Sequence, residues 1–304
     1  MELHEAQVFQ GQGHTISLGA QKLFLWEKAP HKTPRGTILF VHGSSMASTP
    51  GFDLQVRERP EASAMNWFAS RGFNTWCFDC RGYGRSSKEP EILATIDEGA
   101  EDAAAVSDFI MSRTGSGPLL VYGISSGALR AALFAQRHPD RVKRLALDAM
   151  VWTGKGSPTL EQRTKNLAKW RESPRRPIDR KFLNSIFERD LPGTAQEELV
   201  EPFIDQCLEL DSSVPNGTYI DMCVNLPVVD PLQIDVPTLI MRGEHDGIAS
   251  FDDLIAFFRL LPNFDKQFSV TPGVAHASFR QKNVLMVFQT LLCFFMRPPP
   301  RYVG

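Results

Sequence analysis

A chain of 304 residues with 42% apolar side chains and ordinary glycine and proline usage can bury one large core, with or without an insertion, and is not disordered or fibrous. A formal net charge of −2, with both signs scattered along the chain, leaves no basic stripe for nucleic acid or an anionic membrane and points to small-molecule chemistry. Five cysteines at irregular spacing make no secreted disulfide framework, so a reducing compartment is expected.

The N-terminus, Met1-Glu2-Leu3-His4-Glu5, carries acids where an export signal would carry a basic stretch and then an apolar core, which gives a cytoplasmic expectation. Residues 14–18 and 22–26 read as an antiparallel hairpin. From Thr37 onward, apolar strand-length runs alternate with helix-length segments. Strands are expected at 37–41, 74–78, 119–122, 145–148, 238–241 and 266–270, and helices at 58–70, 97–113, 128–137, 251–261 and 282–296. This is the rhythm of parallel βαβ units, and the nearly continuous apolar strands suit an α/β sheet covered on both faces. Cys77 and Cys80 form a Cys-x-x-Cys pattern on a strand, where a spacing of three sends the side chains to opposite faces, so neither zinc nor redox chemistry follows. The apolar stretch 284–296 is too short to span a bilayer and is broken by Gln289 and Thr290.

Residues 152–231 break the rhythm. About eighty residues between two strands are too many for a bare loop in a compact domain. Charged amphipathic helices are expected near 160–170, 180–187 and 195–208, punctuated by Ser173-Pro174-Arg175-Arg176-Pro177. The reading is a helical cap at 152–231 on a core domain made of 1–151 and 232–304.

The chemistry is carried first by Leu119-Leu120-Val121-Tyr122-Gly123-Ile124-Ser125-Ser126-Gly127. An apolar strand feeds a serine with glycine two residues away on each side, and a helix ending at His138-Pro139 follows. That layout is a nucleophile elbow, in which a strained strand-to-helix turn lifts the serine hydroxyl clear of the sheet. A serine hydroxyl needs a general base and a third group that fixes the base's tautomer. His276, in Gly273-Val274-Ala275-His276-Ala277 just past the last strand, is the candidate base. Asp246, in Gly243-Glu244-His245-Asp246-Gly247, is the candidate acid, with Asp148 and Glu244 as its rivals. Backbone amides must also meet a developing oxyanion. Ser126 supplies one, and Ser44, with Ser45 as its rival, the other; His42 in the same loop reads as a brace rather than a second base. Ser45 and Trp152, the latter at the start of the cap, are candidate pocket residues.

His42-Gly43, Asp79-Cys80-Arg81-Gly82-Tyr83-Gly84-Arg85-Ser86, the serine elbow, Gly243 to Asp246 and Gly273 to His276 fall in an order that resembles the α/β-hydrolase superfamily over residues 37–296. The resemblance implies an eight-stranded, mostly parallel sheet with helices on both faces, a cap inserted after the sixth strand, and a Ser-His-Asp mechanism with no metal or cofactor. Serine at the elbow argues against epoxide hydrolases and haloalkane dehalogenases, which use aspartate there. His42-Gly43-Ser44-Ser45 in place of a lipase-type His-Gly-Gly-Gly resembles capped esterases, meta-cleavage hydrolases and prolyl aminopeptidase-like members. An aminopeptidase would need an acidic cluster, for which the cap offers Glu188, Glu197, Glu198 and Glu201.

The expected function is hydrolysis of a small carboxylic ester through an acyl-enzyme, with no nucleic-acid or membrane partner and a homodimer left open. The cap's Arg163, Lys165, Lys169, Arg171, Arg175, Arg176, Arg180 and Lys181 suggest a free carboxylate on the substrate, as in a monoester of a diacid such as a monoalkyl phthalate. The alternatives are carbon–carbon bond hydrolysis, thioester or amide hydrolysis, and a non-catalytic ligand receptor on the same fold.

Overall fold

The computed structural model describes residues 8–301. In chain order the main elements are β1 (Gln12–Leu18), β2 (Gln21–Lys28), β3 (Thr37–Val41), α1 (Ser48–Phe52), α2 (Ala64–Ala69), β4 (Asn74–Asp79), α3 (Ile96–Thr114), β5 (Leu119–Ile124), α4 (Ser126–Arg137) and β6 (Val142–Asp148). An inserted stretch follows: α5 (Pro158–Thr164), α6 (Leu167–Glu172), β7 (Arg175–Pro177), α7 (Arg180–Glu188), α8 (Glu197–Leu210), β8 (Ser213–Pro215) and α9 (Gly217–Val224). The chain then closes with β9 (Thr238–Gly243), α10 (Phe251–Leu260), β10 (Lys266–Thr271) and α11 (Val284–Met296).

Eight strands form one sheet in the order β1-β2-β4-β3-β5-β6-β9-β10. β2 pairs antiparallel with both β1 and β4, and every other pairing in the sheet is parallel. The period-two alternation of the strands divides the core. Leu39, Val41, Trp76, Phe78, Val121 and Leu147 face α3, α4 and α10, while Ile38, Phe40, Cys77, Tyr122 and Met241 face α2 and α11. Cys77 and Cys80 fall in different clusters and both are free thiols, as their spacing requires. α3 starts and stops on local signals: Thr95 and Glu98 form a reciprocal capping box, and Gly115 ends the helix in the left-handed region at φ 63°.

The helix expected at 58–70 is broken. Glu58 sits at φ 62°, Pro60–Ala62 makes a single 3₁₀ turn, and only after Ser63, whose side chain accepts from Asn66 N, does α2 begin. Pro60 disfavours helix at the residue before it, so the segment cannot run through.

Between β6 and β9, the single helix expected near 160–170 is two, α5 and α6, and neither α9 nor the β7/β8 ribbon was anticipated. The inserted stretch docks by an apolar patch of its own, in which Leu183, Ile186 and Phe187 of α7 and Leu199, Phe203 and Ile204 of α8 pack on Leu54 and Ala62. Polar ties join it to the sheet's loops: Gly84 N to Asp211 Oδ2 (2.9 Å), Arg175 Nη1 to Gly82 O (3.0 Å), Ile96 N to Asp221 Oδ2 (2.8 Å) and Gln196 N to Arg280 O (2.8 Å). Among the described residues no helix is long and apolar enough to cross a membrane.

Candidate active site

The parallel strands deliver their following loops to one edge of the sheet, and the candidate residues gather there. Ser125 stands between β5 and α4 at φ 58°, ψ −128°, a left-handed conformation that a side chain adopts only under constraint. Its amide donates to Asp148 O at 2.9 Å. The flanking glycines are required by space: a Cβ on Gly123 would overlap the Gly127 carbonyl, and one on Gly127 would overlap the carbonyls of Val41 and His42. Ser126 opens α4, so its N–H belongs to the first turn, where helical amides lack an intrahelical acceptor.

His276 is buried in the loop after β10, and its Nδ1 lies 3.0 and 3.1 Å from the two carboxylate oxygens of Asp246. Asp246 Oδ1 also accepts from Ile248 N (2.8 Å) and Ala249 N (3.1 Å). Burial pushes the Asp246 carboxyl upward, but the His276 charge and hydrogen bond, with the two amides, outweigh it and bring the pKa down to about 2. Of the rival acids, Asp148 is also buried but accepts from Tyr122 Oη at 2.7 Å, and burial raises it to about 6 against that bond. Glu244 is engaged elsewhere, accepting from Gly273 N at 2.9 Å. The geometry thus brings Asp246, and neither rival, to the imidazole.

His42 braces its loop. Its Nε2 accepts from Cys80 N at 3.0 Å, which leaves Nδ1 to donate to Gly43 O at 2.7 Å. Burial first, then the charge of Arg130, drops its pKa to about 3, so the ring stays neutral. Ser44 Oγ donates to Ser126 Oγ at 2.7 Å, and the Ser44 carbonyl accepts from Tyr83 Oη (3.1 Å) and Arg176 Nη2 (2.7 Å). The loop carrying the candidate oxyanion amide is therefore held from the sheet side by a tyrosine and from the insertion by an arginine. Asp79, at the end of β4, accepts from Ser48 N (2.8 Å) and Arg85 N (2.9 Å) and so ties the 79–86 motif to the chain beyond Ser44.

One cavity of about 760 Å³, measured to its open mouth, joins these parts. Ser125, His276, Gly43, Ser44 and Ser45 line its floor side, while Arg163, Ile186, Phe187, Arg189 and Phe203 come from the insertion. Trp152 does not line it. Its indole Nε1 donates to Val229 O at 3.1 Å and its ring packs edge-on against Phe257 of α10, so it is a packing residue and not a pocket residue. The acids Glu188, Glu197, Glu198 and Glu201 of the insertion are all exposed and outside the cavity, with Glu198 paired to Arg59 at 2.9 Å, so they form no amine-binding cluster there. Of the eight cations in the basic stretch, Arg163 alone lines the cavity; Lys165, Lys169, Arg171, Arg180 and Lys181 are exposed. Arg189, Phe187, Phe203 and Arg280 were not singled out from sequence, because a side chain's approach to a pocket depends on how the insertion docks.

No curated protein sequence is significantly similar to the chain. Solved structures share its fold at low identity. A thermophilic esterase from Thermogutta terrifontis, bound to malate, is 22% identical with a TM-score of 0.65, over 94% of this chain and 98% of that one. A thermostable carboxyl esterase from Bacillus coagulans is 16% identical with a TM-score of 0.69, over 95% and 98%. A thioesterase domain from the curacin biosynthetic pathway is 16% identical with a TM-score of 0.66, over 93% and 99%. The model of the alpha/beta hydrolase fold family matches residues 36–282, which hold six of the sheet's eight strands together with the insertion, and the chain belongs to that family.

Proposed function

We propose that the protein hydrolyses small carboxylic esters through an acyl-enzyme on Ser125. The observation that carries this reading is the pairing of His276 Nδ1 with Asp246, which leaves Nε2 as the free nitrogen of a ring that lines the same cavity as the strained Ser125. In the first half-reaction Nε2 takes the Ser125 proton as Oγ attacks the ester carbonyl. The Ser126 amide, with that of Ser44 or Ser45, receives the oxyanion, and the imidazolium then protonates the departing alcohol. In the second half-reaction water takes the place of the serine, His276 its proton, and the acid leaves. The neutral, tautomer-locked His42 supports the oxyanion loop and takes no proton.

The insertion at 152–231 acts in this reading as a lid that shapes the pocket, since five of the cavity's residues belong to it. The finer reading, a monoester of a diacid such as a monoalkyl phthalate, draws on the cations of that lid.

Labelling with a fluorophosphonate and turnover of a p-nitrophenyl ester series, each compared with Ser125→Ala, test the proposal. The expected result is stoichiometric labelling of the intact protein and a fall in kcat of about 10⁵-fold or more in the variant. Labelling without turnover of any ester would redirect the reading to carbon–carbon bond hydrolysis or to a ligand receptor.

A further inference from the structure

The cavity wall carries three arginines. Arg163 of α5, Arg189 just past α7 and Arg280 beyond His276 all line it. Arg189 is paired, its Nε 3.1 Å from Asp190 Oδ1. Arg280 is buried and donates only to carbonyl oxygens, those of Pro50 (2.6 Å), Gly51 (2.8 Å), Phe279 (2.9 Å) and Ala62 (3.1 Å). Among the described residues, the Arg163 guanidinium makes neither a hydrogen bond nor an ion pair, and it rests on the Tyr219 ring with Cζ 4.1 Å from the centroid. Arg176 also contacts that ring, at 3.6 Å, with its Nη2 given to Ser44 O and its Nη1 to Pro215 O and Asn216 Oδ1.

The local field has two visible effects. Burial lowers the Arg163 pKa, and the charges of Arg189 and Arg176 lower it further against Tyr219. Burial alone would raise Tyr219, yet the charges of Arg163 and Arg176, with a hydrogen bond to Ser45 and the charge of Arg189, overcome it and bring the phenol down to about 7. A site that eases a tyrosine toward phenolate is one where an anion is stabilised.

We propose that Arg163, flanked by Arg189, receives a free carboxylate of the substrate, so that the preferred substrates are monoesters of dicarboxylic acids; this rests on the ester-hydrolase reading above. The planar guanidinium offers two parallel N–H groups to a carboxylate. A single unpaired guanidinium matches one negative charge better than the two of a phosphate monoester. The rest of the wall, with Met46, Ile186, Phe187, Phe203 and Phe279, suits an apolar or aromatic body between the two carboxyl groups.

The experiment compares kcat/KM for monobutyl and dibutyl phthalate in wild type, Arg163→Gln, Arg163→Lys and the exposed control Lys165→Gln. The monoester-to-diester ratio should fall about 10- to 100-fold in Arg163→Gln, fall less in Arg163→Lys and hold in Lys165→Gln. A ratio unchanged in Arg163→Gln overturns the subsite while leaving the ester-hydrolase reading intact. Calorimetric titration of phthalate into Ser125→Ala and Ser125→Ala/Arg163→Gln reads the subsite without turnover. Binding lost only in the double variant supports it, and equal binding, or none to either at millimolar phthalate, overturns it. If wild type cleaves neither phthalate ester but turns over p-nitrophenyl esters, the monoester substrate class is overturned and the hydrolase reading stands; if it turns over no ester at all, the hydrolase reading falls and the titration alone decides the subsite.

Discussion

Asp246→Asn is the sharpest perturbation of the candidate site, because it removes one charge and almost no volume. The His276 contact and the Ile248 and Ala249 amides bring the Asp246 carboxyl to about 2 despite burial, nearly two units under its ordinary value. At about 1.4 kcal/mol per unit, the folded site favours the carboxylate by about 2–3 kcal/mol. In the proposed mechanism the same charge faces the imidazolium that forms as Ser125 attacks. A neutral amide also lets the ring settle in the wrong tautomer, with its proton on the nitrogen that must accept one; in serine triads on other folds this change costs about 10⁴-fold in kcat. A loss of about 10³- to 10⁴-fold is expected here, read from steady-state hydrolysis of p-nitrophenyl acetate at pH 8. Asp148→Asn is the matched control, since Asp148 bonds Tyr122 Oη rather than the imidazole and its kcat should stay within about threefold. An Asp246→Asn enzyme with a tenth or more of its activity, beside an Asp148→Asn enzyme down a thousandfold, would refute the assignment of the acid.

Stability against pH separates the same two carboxylates. Asp148 is raised to about 6, so its ionisation opposes folding by about 3 kcal/mol above pH 6 and by nothing below pH 4. Urea midpoints of Asp148→Asn should therefore exceed those of wild type at pH 8 and converge with them near pH 4. Asp246, with its lowered pKa, contributes stability above pH 4 that is lost as the pH falls toward 2, and Asp246→Asn should lack that acid limb. His42→Ala strands the buried Cys80 N–H and Gly43 carbonyl and should cost about 2–4 kcal/mol in urea unfolding. Gly127→Ala drives a methyl group into two backbone carbonyls that cannot yield, so a loss of about 3 kcal/mol or more is expected, with esterase activity lost alongside. Arg176→Met frees the Ser44 carbonyl and should lower kcat on a neutral ester by about 10-fold, with a smaller change in KM.

Strands β3, β4, β5, β6 and β9 were readable because a sheet covered on both faces needs nearly continuous apolar runs, and the edge strand β10 because Phe268 and Val270 alternate with polar residues. Ser125, Asp246 and His276 were readable for a different reason: each follows a strand whose end is marked by glycine or a polar turn, so position along the chain implied position on the sheet edge. What failed was local or docked. The 58–70 helix looked periodic, but Pro60 and the capping side chain of Ser63 reset the backbone inside it. The ribbon of β7 and β8 is three residues on each side and is held by the Arg175 side chain on Ser213, which no strand-length pattern encodes. Trp152 was placed by proximity to the sixth strand, and proximity did not tell which way the indole turns. Arg163 and Lys181 are alike in sequence, and only the packing of α5 against α9 decides that one reaches the cavity while the other stays in water.

The bond from Arg176 to the Ser44 carbonyl has a consequence for anyone who would rebuild this protein. Trading the 152–231 stretch for that of a relative would seem a clean way to change what the pocket accepts. Here the borrowed part would arrive without the guanidinium that fixes a backbone turn beside the proposed nucleophile, and the graft would lose speed before it changed taste. Redesign that keeps Arg176, with Pro215 and Asn216 that steer it, and varies only the walls at Ile186, Phe187 and Phe203, respects the joint.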